Sequence, residues 1–198
     1  MRTVAAFDFD GTLSSRDNLI PFLRRVAGTG RVNGALLAAL PALLTGGRNR
    51  AKAILLARAL AGCPTARLTD VATTFAQQVV ATHLRPDVVA RAEWHRDQGH
   101  RVVIVSASLT SFLDPIARQL CFDAVLATEV EIGPDGRCTG RLVGANVRGR
   151  EKARRLDAWL ADTPATIWAY GNSRGDAALL ARADHPVRVG RSRLVTPP

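Results

Sequence analysis

Two aspartates separated by one phenylalanine, Asp8-Phe9-Asp10, follow the apolar run Val4-Ala5-Ala6-Phe7 and precede Gly11-Thr12. On a strand, alternate side chains face the same side. Asp8 and Asp10 are therefore expected to point together while Phe9 enters the core. Like charges held that close repel, and ionised carboxylates resist burial. A bound cation is the simplest relief. The chemistry open to such a pair is metal-assisted attack by one carboxylate, with the other serving as an acid beside it. The ordinary alternative is a strand that ends in an Asp-Gly turn.

Three further stretches carry polar groups where chemistry needs them. Val102-Val103-Ile104-Val105 leads into Ser106. A hydroxyl there, with the backbone N–H groups that follow, can hold a phosphate oxygen; the plain reading is a strand-end serine before a helix capped at Ser108. Gly149-Arg150-Glu151-Lys152 opens a helix with a lysine, in a chain whose basic residues are arginines except for Lys52 and Lys152. An ammonium is a compact point charge that a guanidinium does not replace, although a surface lysine reads the same way. Trp168-Ala169-Tyr170-Gly171 runs into a glycine-bounded loop holding Asn172 and Asp176. Oxygen ligands of that kind suit Mg²⁺; a loop capping the next helix is the competing account.

The elements that must position these groups follow from hydrophobic period and from turn residues. Strands are expected over residues 3–9, 101–106, 122–127, 165–170 and 186–189. Helices are expected over 87–98, 109–120, 150–160 and 176–183, with a hairpin over 129–142 around Pro134-Asp135-Gly136. Between the first two strands, helical patterns run to about His83, broken at Gly28-Thr29-Gly30, Gly46-Gly47 and Cys63-Pro64. Asp17 or Asn18 is a candidate cap for the first of these helices, with Pro21 in its first turn. Alternating strands and helices predict an α/β fold, a parallel sheet covered by helices on both faces. The first helical stretch is too long for one crossover and reads as an inserted cap. In open sheets of this kind ligands bind at the carboxyl ends of the strands, and every polar residue singled out above falls at or just past such an end or on a neighbouring helix.

Composition narrows the partners. The 198 residues carry a net charge of +10. The excess lies mainly between Ser14 and Arg85, where ten basic residues face only Asp17 and Asp70. A field of that sign attracts phosphate esters or anionic lipid. Nucleic acid is not expected, since Phe22 and Phe75 are the only aromatics in the segment and stacking platforms are scarce. Leu36, Leu37, Leu40, Leu43 and Leu44 recur at helical spacing and read as the core of a small helical unit, with a lipid-touching face as the alternative. Cys63, Cys121 and Cys138 form no metal or disulfide pattern. Asp8 and Asp10 interrupt the first apolar run too early for a signal peptide, so a cytoplasmic location is expected.

Taken together, Asp8-Phe9-Asp10-Gly11-Thr12, Ser106, Lys152 and Gly171 to Asp176 resemble the four motifs of the haloacid dehalogenase superfamily of phosphatases, within it the subfamily IB branch that contains phosphoserine phosphatase. The resemblance implies a Rossmann-like core over residues 1–13 and 86–198 and a helical cap over 14–85. It implies a Mg²⁺-dependent phosphomonoester hydrolase acting on a small phosphorylated metabolite. Asp8 would be the nucleophile that becomes an aspartyl-phosphate, and Asp10 the acid and base. Ser106 and Lys152 would hold the phosphate, and Asp8, Asp10, Asn172 and Asp176 would serve the metal. The family usually has Asp where this chain has Asn172, which removes one negative charge from the metal site. It also places a Glu near Asp17 to hold the amine of phosphoserine; with Asp there and no Glu in the cap, strict phosphoserine specificity is not expected. Two alternatives stay open: a lipid phosphate phosphatase at an anionic membrane surface, of phosphatidylglycerophosphate or lysophosphatidate type, and a non-catalytic phosphate-binding protein of the same fold.

Overall fold

The computed structural model describes residues 2–161 and 163–194; Met1, Asp162 and residues 195–198 of the expected core domain lie outside the described residues. The elements run in the order β1 (Arg2–Phe7), α1 (Leu19–Ala27), α2 (Thr29–Leu44), α3 (Arg48–Leu60), α4 (Thr65–Thr82), α5 (Pro86–Asp97), β2 (Arg101–Leu109), α6 (Thr110–Gln119), β3 (Ala124–Thr128), β4 (Val130–Ile132), β5 (Cys138–Leu142), α7 (Arg150–Leu160), β6 (Ala165–Gly171), α8 (Ala177–Arg182) and β7 (His185–Arg188). A short 3₁₀ turn, Arg174–Asp176, precedes α8.

Five strands pair in parallel in the order β3-β2-β1-β6-β7, and β4 with β5 forms the separate expected hairpin. The period of two along each strand sorts the core. Val4, Ala6, Val103, Val105, Ile167 and Ala169 face one side with Leu156 and Leu160 of α7 and Leu179 of α8. Ala5, Phe7, Val102, Ile104 and Tyr170 belong to the opposite layer. Covered on both faces, the strands read as unbroken apolar runs, and all their carboxyl ends open on one edge.

Helices α1 to α4 lie between β1 and α5 in the chain. They are not a separate globule: Phe22 of α1 and Phe75 of α4 meet Phe112 of α6, with ring centroids 4.9 and 5.4 Å away. Phe9, just past β1, reaches the same Phe112 at 6.3 Å. This aromatic cluster seats the inserted helices over the end of β1. It is also why Phe9 turns inward as expected.

One expectation is overturned in α2. Of the leucine stripe only Leu36 packs, partly buried, against the core; the other four are not core. Leu37 is 72% exposed and Leu44 77%, Leu40 and Leu43 are about half exposed, and the buried residues are Val32, Ala35, Ala39 and Ala42. Small residues let α2 lie close to α3, so the alanine face is the one that packs. Two boundaries also move. β1 stops at Phe7, so Asp8 and Asp10 leave the ladder, and β2 continues to Leu109 through a register shift between Ser106 and Leu109. Among the described residues no helix is long and apolar enough to cross a membrane.

Candidate active site

Asp8 is the first residue past β1, and its N–H donates to the Tyr170 carbonyl of β6 at 2.9 Å. Its side chain is then fixed from two directions. Lys152 Nζ donates to Oδ1 at 2.5 Å, and Thr12 Oγ1 donates to Oδ2 at 3.1 Å. Lys152 belongs to the first turn of α7, which Gly149 starts with φ of +63°. Its Nζ also donates to Asp176 Oδ1 at 2.6 Å. Lys152 and Asp176 are almost wholly buried and Asp8 nearly so. Burial opposes the charge of Lys152, but the two carboxylates outweigh it and hold the ammonium protonated, raised above its usual value. Burial likewise pushes Asp176 up, yet Lys152 and Ser173 outweigh it and leave the carboxyl low. Asp8 is driven upward chiefly by burial, with Lys152 pulling against it. Two buried carboxylates thus share one buried cation.

Asp10 has different surroundings. The Asn18 backbone N–H and Nδ2 both donate to its Oδ1 at 2.9 Å, and Ser108 Oγ donates to Oδ2 at 2.5 Å. Among the described residues no cation forms an ion pair with it. Burial therefore raises its carboxyl to about 6, with the Ser108 hydrogen bond acting the other way. Sequence reasoning missed both partners. Asn18 does stand at the N-cap of α1, but the side chain that caps is that of Asp17, whose Oδ1 accepts from Leu19 N at 3.0 Å. Ser108 caps nothing; its N–H donates to Ser106 Oγ at 3.0 Å and its hydroxyl turns to Asp10.

Asn172 follows β6. A Cβ at Gly11, whose φ is +77°, would fall 1.9 Å from Asn172 Nδ2, so the amide packs directly on the glycine after Asp10. Asn172 Oδ1 is buried without a hydrogen-bond partner, which costs about 1–3 kcal/mol for an unsatisfied acceptor. Asp176 also fixes this loop: its Oδ2 accepts from Asn172 N, Ser173 N and Ser173 Oγ at 3.2, 2.9 and 2.7 Å. Both of its oxygens are thereby engaged by the protein.

The groups named from the sequence converge. A cavity of about 250 Å³ is lined by Asp8, Asp10, Ser106, Lys152, Asn172 and Asp176, together with Asp17, Arg48 and Arg148. Among the described residues neither Arg48 nor Arg148 has an ion-pair partner, so two guanidiniums are available at its mouth. Arg148 carried no local signal in the sequence, since it sits in a loop among several arginines.

The fit to a divalent cation can be tested on these atoms. Among the described residues no group of three or more His, Cys, Asp or Glu side chains could hold a metal. An oxygen set made from Asp8, a main-chain carbonyl and the orphaned Asn172 amide oxygen nevertheless suits Mg²⁺, which takes few protein ligands and keeps water and phosphate. The buried, unpaired Oδ1 is the atom such an ion would satisfy.

Residues 5–181 match the family described as haloacid dehalogenase-like hydrolase. Protein CicA of Caulobacter vibrioides is 36% identical over 185 residues, covering 91% of this chain and 83% of that one. A protein of unknown function from Bordetella pertussis Tohama I superposes with a TM-score of 0.79 at 26% identity, covering 91% of this chain and 86% of that one. A phosphoserine phosphatase from T. onnurineus superposes with a TM-score of 0.58 at 26% identity, over 97% and 86% of the two chains.

Proposed function

The chain belongs to the haloacid dehalogenase-like hydrolase family, and from that membership we propose that it is a Mg²⁺-dependent phosphatase that hydrolyses phosphate monoesters through an aspartyl-phosphate on Asp8. The observation that carries the reading is the Lys152 bridge between Asp8 and Asp176, set in one cavity with Ser106 and Asp10. Phosphoryl transfer asks for in-line placement and charge neutralisation more than for elaborate covalent chemistry.

Asp8, the Asp10 main-chain carbonyl and Asn172 would hold the ion, with Asp176 fixing the loop that carries Asn172. Bound Mg²⁺ would offset the charge shared by Asp8 and the incoming phosphate. Lys152 and Ser106 bind phosphate oxygens, and Arg48 and Arg148 draw the anion to the mouth. In the first step an Asp8 carboxylate oxygen bonds to phosphorus as the bond to the leaving oxygen breaks, and the Asp10 carboxyl proton goes to that oxygen. In the second step water bonds to phosphorus, its proton goes to Asp10, and Asp8 is released with inorganic phosphate. Burial and neutral partners suit Asp10 to carry a proton at the required moment. The inserted segment 14–85 would serve as the cap over this site.

Phosphate release from a generic ester, with and without Mg²⁺, tests the reading in the parent and in Asp8→Asn. The variant is expected to lose at least about 10³-fold in kcat; equal rates would leave only the non-catalytic phosphate-binding alternative. A second reading, action on a lipid phosphate at an anionic membrane surface, draws on Leu37 and Leu44, which α2 leaves 72% and 77% exposed. Salt-sensitive sedimentation with anionic vesicles tests that contact, and its absence removes this second reading.

A further inference from the structure

Next to the catalytic cavity lies a second one of about 390 Å³, enclosed by α1, α2 and α3. The two share Asp10, Asp17, Arg48, Ala107 and Arg148, so the second opens on the group assigned to protonate the leaving oxygen. Its walls are apolar: Leu19, Ile20, Leu36, Leu40, Leu43 and Leu55. Leu40 is 45% exposed and Leu43 49% exposed, so both retain surface that a ligand would cover.

Of the polar groups that line it, Lys52, Asp10 and Asp17 are already engaged, while Arg48 and Arg148 have no ion-pair partner among the described residues. Lys52 donates to the Ala107 carbonyl, to Asn146 Oδ1 at 2.7 Å and to Thr128 Oγ1 at 3.5 Å. Asp10 is held by Asn18 and Ser108, and one oxygen of Asp17 caps α1. A zwitterionic leaving group would bring an ammonium to Asp17 in a space that also holds Lys52, Arg48 and Arg148. An apolar group can lie against the leucine, isoleucine and alanine side chains that α1, α2 and α3 contribute to the wall.

Resting on the phosphatase reading, we propose that this cavity receives the leaving group, and that the substrate is a phosphate monoester of an apolar alcohol. The volume is near the lower end of the roughly 300–1,000 Å³ of small-molecule sites, which fits one short chain or one ring. Leu40 and Leu43 are then specificity-determining residues. The alcohol has two possible sources, a free metabolite or the end of a lipid whose remainder stays in a bilayer.

The test uses binding, so that it does not depend on turnover. Linear alkylphosphonates from methyl to octyl are titrated calorimetrically into the protein with Mg²⁺ present. Kd is expected to fall about fourfold for each added methylene until the cavity fills. Leu40→Gln and Leu43→Gln should flatten that slope, whereas Leu37→Gln, on the outer face of α2, should not. A dependence seen in solution assigns a free alcohol; one seen only with the phosphonate embedded in phosphatidylcholine vesicles assigns a bilayer source. No dependence in either setting, or tighter binding of an amino-acid phosphonate than of hexylphosphonate, overturns the proposal. Intact slopes without hydrolysis of the matching alkyl phosphates would unseat the phosphatase reading and leave the cavity assignment standing.

Discussion

The floor and the roof of the cavity are built from opposite materials. At the strand ends every carboxylate is gripped: Asp8 and Asp176 by Lys152, Asp10 by Asn18 and Ser108. In the inserted helices the wall of the adjoining cavity is mainly leucine, isoleucine and alanine, with Leu40 and Leu43 about half exposed. The difference separates two jobs. A floor with fixed donors can be complementary to the one group that every substrate shares, the phosphate. A roof with apolar, uncommitted surface determines which alcohol comes with it. The junction is polar: Lys52 of α3 reaches the Ala107 carbonyl beyond Ser106, and Asn146 Nδ2 donates to Asn49 Oδ1 at 2.8 Å.

The largest effect expected from breaking the floor is at Lys152. Lys152→Met keeps the length and removes the cation, which leaves two buried carboxylates facing each other. Losing one partner of a buried pair typically costs about 3–5 kcal/mol. Both a large fall in the chemical denaturation midpoint and loss of phosphate release are expected. If the contrast with the roof holds, Leu40→Gln costs far less stability in the same assay; equal losses would dissolve the distinction.

Beneath the floor, a histidine cluster offers the next test. His95 of α5 is fully buried, with Nε2 2.9 Å from the Tyr170 hydroxyl and Nδ1 2.9 Å from His100 Nδ1. Tyr170 in turn stacks on Phe7 at 4.3 Å and accepts the Asp8 N–H. Burial, with His100 and Arg91 nearby, depresses His95 to about 3. A depressed histidine binds its proton more readily in the unfolded chain. Its contribution is therefore complete above the unfolded value near 6.5 and is lost as pH falls toward about 3, with a limiting slope of about 1.4 kcal/mol per pH unit. Asp10, raised to about 6, acts with the opposite sign because its folded form holds the proton longer. The informative quantity is thus the difference between parent and His95→Gln, measured by denaturation from pH 6.5 to 4.5. The parent should lose stability more steeply on acidification, and parallel curves would show that the cluster does not titrate.

The chemical floor was largely legible in the chain, because each of its main groups carries a local signal. An apolar run ending in Asp8 marks a strand end, the run before Ser106 marks the strand that carries it although β2 continues to Leu109, and a glycine before Lys152 or after Tyr170 marks the turn that aims the next residue. The helix expected over 150–160 is the observed α7. What stayed hidden has one physical cause: the residue type that would reveal it also has a commoner local use. Asn18 and Ser108 look like helix caps, and only the folded chain shows their side chains turned to Asp10. The leucine stripe of α2 likewise reports an apolar face, but period alone does not say what covers it. Ala35, Ala39 and Ala42 take the packed side because small residues permit close approach to α3, and Leu36, Leu40 and Leu43 are left lining the second cavity while Leu37 and Leu44 face outward.

A finer test asks how the neutral partners of Asp10 differ from the charged partner of Asp8. Asn18→Ala and Ser108→Ala remove donors without leaving a charge unpaired, so they are expected to disturb folding less than Lys152→Met. They should instead slow the step in which Asp10 gives up its proton, by about 10–100-fold in kcat, within the usual reach of general acid catalysis. That loss depends on the leaving group. An alkyl phosphate, whose alkoxide needs the proton, should suffer fully, while p-nitrophenyl phosphate, whose phenolate leaves unaided, should suffer little. Equal losses on both esters would mean that Asn18 and Ser108 only support the local fold.

The smallest expected effect sits on the outside of the roof. Leu37 is 72% exposed and does not line the cavity. Leu37→Gln should change stability by no more than about 0.5 kcal/mol, as is usual for surface substitutions, and should leave the hydrolysis of a soluble ester unaltered. Leu40, three residues on, is turned to the cavity, and its change to Gln should lower kcat/KM for an apolar ester while sparing a methyl ester. The two leucines share a helix, a side-chain type and partial exposure to solvent. A difference between them in ester preference would therefore come from which way each faces, and an identical response would put the roof's selectivity elsewhere than on α2.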